Sequence, residues 1–170
     1  VDADLGLGNG DLRAAERTYQ MLSQVAGRAG RETSGGRALL QTHMPEHPVL
    51  QALVSGDRDA FLDREADARE QAAMPPFGRL GAIIISATHQ QEGLAFVTEL
   101  ARKTPSHDQV RVLGPAPAPI ARIRDRYRFR FLLKASRQAP LQAFISQWLS
   151  AAPRRGSIRI SVDIDPYSFL

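Results

Sequence analysis

The stretch from Tyr127 to Lys134 constrains the fold more than any other. Tyr127, Phe129, Phe131 and Leu133 fall on one side of an extended chain. Arg126, Arg128, Arg130 and Lys134 fall on the other, with Leu132 interrupting. Period two predicts a strand whose aromatic face is covered by helices. Its arginine face is then left on the open side of a sheet or at a sheet edge. The surrounding sequence supplies the other layers. Ile83, Ile84 and Ile85 predict a buried strand, and Leu94, Val97, Leu100 and Ala101 a helix. Val110 to Leu113 predicts a second strand. Gly114 to Pro119, with three prolines, is expected to run extended outside regular structure. Pro140 opens a helix carrying Leu141, Phe144, Ile145, Trp148 and Leu149. Ser157 to Ile164 alternates through Ile158, Ile160, Val162 and Ile164, a fourth strand. The order β-α-β-β-α-β predicts a split-βαβ, ferredoxin-like α+β domain.

The first part of the chain reads differently. Val1 to Asn9 is expected to end a strand and enter a glycine-rich loop. Asp2 and Asp4 suit either a divalent ion or, more simply, a turn at a sheet edge. Asp11 is expected to cap a helix whose Leu12, Ala15, Tyr19, Leu22 and Ala26 form a face for packing on a sheet. Thr33 to Gly36 predicts a turn, and Ala38 to Thr42 a short strand. His43 and His47 have the spacing of a helical metal site, but Pro45 and Pro48 argue against a helix there. Pro48 can start a short helix with Val49, Leu50 and Leu53. Asp57 can cap another running to about Ala73, with Glu65 and Arg69 spaced as an ion pair. That helix is mostly charged, with Ala60, Phe61, Ala68 and Ala72 as a weak apolar face, and reads as a solvated bridge. Met74-Pro75-Pro76 ends it and marks the expected domain boundary.

Gln24-Val25-Ala26-Gly27-Arg28-Ala29-Gly30-Arg31 has the form Q-x-x-G-R-x-G-R. Guanidinium forks match phosphate oxygens, and glycine admits a close-lying ligand. A basic helix end stopped by glycine would look similar, and the spacing alone leaves both readings open.

The motif resembles the last nucleotide-contacting motif of the second RecA-like lobe in helicases of the DEAD/DEAH type. The runs DLRAAERTYQMLSQVAGRAGR from Asp11, LLQTHMPEHPVLQAL from Leu39 and MPPFGRL from Met74, with the ending VDIDPYSFL, extend the match across the chain. Together they resemble the primosomal replication-restart DNA helicases. That resemblance implies three parts: residues 1–41 as the end of the second helicase lobe, 42–77 as a helical connector, and 78–170 as a C-terminal α+β domain. It implies a parent enzyme that unwinds DNA 3′ to 5′ with ATP and magnesium, recognises stalled forks and promotes primosome assembly. Gln24, Gly27, Arg28 and Arg31 would contact ATP, with Arg28 and Arg31 acting on the transferring phosphoryl group. It further implies primosome proteins and single-strand-binding protein as partners, and zinc in a cysteine-rich insertion.

The chain has 170 residues and no cysteine, so zinc thiolate ligands would lie elsewhere. It begins at Val1, and the expectation is a fragment of a longer protein, itself inert because it holds neither a phosphate-binding lysine loop nor an acidic magnesium motif. With no secretory signal, cytoplasm is the expected compartment. The net charge is only +4, so distribution matters more than sum. Arg122, Arg124, Arg126, Arg128, Arg130 and Lys134 gather against the single Asp125. Such a row can protect a sheet edge or hold a phosphate backbone. Its density favours nucleic-acid contact, and the resemblance implies that the nucleic acid is DNA. A non-enzymatic nucleic-acid-binding or docking module, and an RNA helicase fragment, are the rival readings.

Overall fold

The structure is a computed structural model that describes residues 2–4, 7, 13–29, 37–153 and 155–166. The chain divides into two compact units, Val1–Asp67 and Ala68–Pro166. The expected cap at Asp11, the helix position Leu12 and the turn at Thr33 to Gly36 lie outside the described residues.

The first unit is built on helices α1 (Ala14–Ala29), α2 (Pro48–Ser55) and the start of α3 (Arg58–Gln71). Pro48 stands in the first turn of α2, and His47 caps it by accepting the Val49 N–H at Nδ1. His47 is thus a helix cap, standing before α2 and not inside a helix with His43. Asp57 Oδ1 accepts the Ala60 N–H and caps α3. Among the described residues, the apolar face of α1 meets α2, the start of α3 and the segments beside the Asp2–Gln41 bridge. Leu22 meets Leu50 and Ala3, while Ala15 and Tyr19 meet Val49, Ala52 and Phe61. The expected strand at Ala38 to Thr42 is a single parallel bridge, Asp2 to Gln41. Asp4 explains why the chain turns there. Its carboxylate accepts Thr42 Oγ1–H at 2.5 Å and the His43 N–H at 2.7 Å. The Thr42 hydroxyl first, then the His43 amide, hold its carboxyl below the usual carboxylate range. Among the described residues, Asp2 and Asp4 are therefore turn acids.

The second unit carries β1 (Gly78–Ala87), α4 (Gln90–Arg102), β2 (Val110–Ile123), β3 (Arg126–Ser136), α5 (Leu141–Ser150) and β4 (Arg159–Ile164). The sheet order is β2-β3-β1-β4, with every neighbouring pair antiparallel. This is the split-βαβ arrangement that the element order predicts. The core lies between one sheet face and the two helices. Ile83, Ile85, Phe129, Phe131 and Leu133 meet Phe96, Val97, Leu100, Leu141, Phe144, Ile145 and Trp148 there. Trp148 is fully buried, stands edge-on to Phe131 at 5.0 Å, and donates its indole N–H to the Leu100 carbonyl at 2.9 Å.

Three local expectations change. On α4 the buried positions are Gly93, Phe96, Val97 and Leu100, whereas Leu94 is 54% exposed. Gly93 sets this rotation: a Cβ there would stand 2.6 Å from the Phe129 ring, so only glycine lets α4 approach the sheet this closely. The proline run is not outside the sheet but belongs to β2, an edge strand. Proline lacks the N–H that an interior strand would need, and an edge tolerates this. The ladder accommodates the run by shifting register between Leu113 and Ala116, where Gly114 adopts φ +111°. Finally, β4 is also an edge, and Ile160 and Val162 on its helix side remain 39% and 41% exposed.

Asp165 ties the end of β4 to the start of β1. Its Oδ1 accepts the Leu80 N–H, its Oδ2 accepts two N–H groups of Arg79, and its own N–H donates to the Leu80 carbonyl.

Candidate functional site

Two groups of residues carry the functional expectations, one in each unit. Gln24, Gly27 and Arg28 occupy the last turns of α1. Gln24 and Arg28, four residues apart, share a helix face, and both are exposed. Gly27 lies inside the helix, so it is not a helix stop. A Cβ added there would meet nothing within 4 Å. Glycine costs about 1 kcal/mol against alanine inside a helix, and among the described residues no packing contact demands it. Space above Gly27 and an exposed guanidinium one residue on are what close approach of a phosphate would use. Gln24 also borders a cleft of about 470 Å³ with Tyr19, Arg58 and Phe61, whose two rings stack at 4.8 Å. Arg31 lies outside the described residues.

In the second unit β3 is interior, between β2 and β1. Edge protection therefore does not explain its arginines. They stand on the sheet face opposite the helices, as period two requires. Their individual settings differ. Arg126 is half-buried and donates from Nη2 to the carbonyls of Ser86, at 2.8 Å, and Ser157, at 2.5 Å. Lys134 donates to the Ala72 carbonyl at 2.6 Å, just past the end of α3. Both are thus engaged in holding the fold. Arg128 and Arg130 are half-buried on the open face, and Arg128 Nη1 donates to the Ile120 carbonyl at 3.3 Å.

Arg122 and Arg124 do not continue the β3 row. Arg122 lies on β2 opposite Tyr127, which puts it on the aromatic face, where it covers the Tyr127 ring at 5.2 Å and pairs with Asp125 at 2.9 Å. Arg124 and Asp125 form the two-residue connection between β2 and β3, with φ of 47° and 58°.

The register adds two arginines that the sequence reading did not single out. Arg111 pairs with Lys134, and Arg159 pairs with Ser86, which in turn pairs with Arg128. Both are exposed on the open face. Arg159 and Arg128 sit two strand spacings apart, about 9–10 Å. The signal for Arg159 was already present in the alternation of Ile158 and Ile160 around it. None of the strand residues on this face is aromatic, because the rings of β3 all turn toward the core.

Replacing Arg126 should act on stability. Arg126→Ala leaves two carbonyls without their charged donor, and such bonds contribute about 1.5–3 kcal/mol each. The expected result is a lower urea midpoint, read from a denaturation titration beside the unaltered chain. An unchanged midpoint would mean that Arg126 is not a tie.

The family profile described as the primosomal protein N C-terminal domain matches residues 70–167. The chain belongs to that family. It is 38% identical over 169 residues to the replication restart protein PriA of Rickettsia conorii, covering 99% of this chain and 26% of that protein. It is 33% identical over 177 residues to PriA of Bacillus subtilis, covering 100% of this chain and 22% of the relative. With PriA of Haemophilus influenzae it shares 33% identity over 169 residues, 98% of this chain and 23% of the other. The chain thus spans about a quarter of the length of these relatives. The matched region contains the entire β-α-β-β-α-β unit and both ends of its basic face.

Among the described residues, no helix is long and apolar enough to cross a membrane. The chain has no cysteine, and no group of three potential metal ligands occurs among the described residues.

Proposed function

We propose that this chain serves as the C-terminal part of a replication-restart DNA helicase and that its second unit holds DNA by the phosphate backbone. The observation that carries the DNA reading is the interior position of β3: a row of arginines on a central strand has no edge to protect. Arg128 and Arg130, joined by Arg111 and Arg159 from the neighbouring strands, give that face a positive charge that phosphates complement. The missing aromatic rings favour backbone contact over base stacking. The relatives carry the name replication restart protein PriA, which supports a role in replication restart; fork recognition and primosome assembly are proposed on the motif resemblance.

The first unit is read as the end of the second RecA-like lobe. Gln24, Arg28 and Arg31 would meet the phosphates of ATP, with magnesium held by the preceding part of the helicase. Nucleotide supplies the phosphoryl group whose transfer drives unwinding, and the role of these side chains is to orient it and neutralise its charge. Primosome proteins and single-strand-binding protein are the proposed partners, in the cytoplasm.

A salt titration of fork-DNA binding tests the open face. Arg128→Ala with Arg130→Ala should remove two phosphate contacts and flatten the log-affinity against log-salt slope by about 1.4–1.8, the range covering single and double strands. Affinity should fall about equally on all sequences, since backbone contacts carry no base code. An unchanged slope in the double variant would remove this face from the DNA interface.

A further inference from the structure

The corner where β2 turns into β3 differs from the rest of the basic face. Pro117 pairs with Phe129, yet Arg122 pairs with Tyr127, so β2 spends three more residues than β3 between these two pairs. The excess pushes Pro119, Ile120 and Ala121 out of the ladder into exposed positions. Ile120 is 49% exposed and Ile123 is 39% exposed. Single exposed isoleucines are ordinary. These two lie three residues apart on either side of the register shift, and the backbone around them is braced. Arg128 donates to the Ile120 carbonyl, Arg122 is pinned by Asp125 and the Tyr127 ring, and Arg126 fastens the base of the hairpin to Ser86 and Ser157. The connection itself uses two consecutive non-glycine residues at positive φ, Arg124 and Asp125. A corner of this kind would more easily be built with Asn-Gly. Here it carries an exposed guanidinium at its tip instead.

We infer that this corner is an apolar wedge for the minor groove of a DNA duplex, with Ile120 and Ile123 entering between base pairs and Arg122 and Arg124 held against the flanking phosphates. The inference rests on the DNA-binding reading of the adjoining face. Isoleucine offers no hydrogen bond to a base edge, so the tip reads no sequence. What it can do is occupy the space left when a base step is partly unstacked, as apolar side chains flanked by cations do in minor-groove proteins. Charge complementarity commits the corner to nucleic acid: Arg122 and Arg124 flank Ile123 in the chain, Arg128 reaches the Ile120 carbonyl, and the neighbouring acid, Asp125, is already paired with Arg122.

The test uses the whole chain and a short DNA duplex with 2-aminopurine placed at successive positions. Binding of the unaltered chain should raise the fluorescence several-fold at one step. Ile120→Ala with Ile123→Ala should abolish that rise while leaving the salt slope unchanged. Both side chains are exposed, so the double variant should keep its unfolding midpoint. Arg124→Asn, which suits the positive φ, should keep the fluorescence rise and lower the salt slope by about 0.9. Binding with no fluorescence change at any position overturns the wedge and leaves the DNA face standing. A rise retained in the double isoleucine variant also overturns it. No binding by the unaltered chain removes both the wedge and the DNA face.

Discussion

Trp148→Ala is expected to destabilise the second unit by about 3–5 kcal/mol, the range for deleting a large aromatic from a packed core. The side chain is fully buried between α5 and the sheet, against Phe131 and Phe144. Its removal leaves a cavity that three elements would have to move to fill. It also strips the Leu100 carbonyl of its indole donor, although that carbonyl lies in α4 and accepts a helical-turn bond from Lys103 as well. In a domain of this size each kcal/mol moves the melting temperature by about 4–8 °C, so the shift should exceed about 10 °C. Trp148→Phe separates the contributions. It keeps much of the buried area and loses the hydrogen bond, so the cost should be clearly smaller. The measurement is a urea titration of both variants in the whole chain, followed by tryptophan-independent circular dichroism. A loss below about 1 kcal/mol for Trp148→Ala would mean that the core collapses around the site far better than its packing suggests.

The second large effect belongs to the proposed nucleotide motif. In the intact helicase, Arg28→Ala or Arg31→Ala should lower ATP turnover by about 10³-fold or more, the scale on which arginines act on a transferring phosphoryl group. DNA affinity at fixed salt should stay nearly constant, because these forks meet charge that develops only in phosphoryl transfer. Gly27→Ala offers a finer probe of the same place. The helix gains propensity, and no described residue opposes the added methyl. Turnover should nevertheless fall if the glycine exists for close approach of the phosphates. Variants at Arg28 and Arg31 that lose DNA affinity yet keep full turnover would end the helicase-motif assignment.

The two arginine sets also differ in how they could be read from sequence. The motif at Gln24 to Arg31 is local: Gln24 and Arg28 lie about one turn apart on one helix, so spacing alone places them side by side. The proposed DNA face is not local. Arg111, Arg128 and Arg159 come from three strands, and only register brings them to one side of the sheet. A row drawn along the chain from Arg122 to Lys134 therefore mixed residues that the fold separates. Arg122 turns toward Tyr127, Arg124 sits in the turn, and Arg126 and Lys134 hold the backbone of neighbouring segments.

Sequence by itself determined the βαββαβ order, the aromatic face of β3 as core, the starts of α2 and α3, and the kinship carried by its motifs. Each is written in short-range terms: a period of two, a proline in a first helical turn, a capping aspartate, or a run of identities. Tertiary structure decided which strands are interior, and with it the meaning of the arginines. It admitted the proline run as an edge strand because an edge does not need every N–H. It turned α4 to bury Phe96 and expose Leu94 because Gly93 lets the helix settle on Phe129. It set Ala15, Tyr19 and Leu22 of α1 against Val49, Leu50 and Phe61, contacts that no local pattern specifies. The physical reason is the same in each instance. Periodicity says which residues share a face, but what covers that face depends on contacts between segments far apart in the chain.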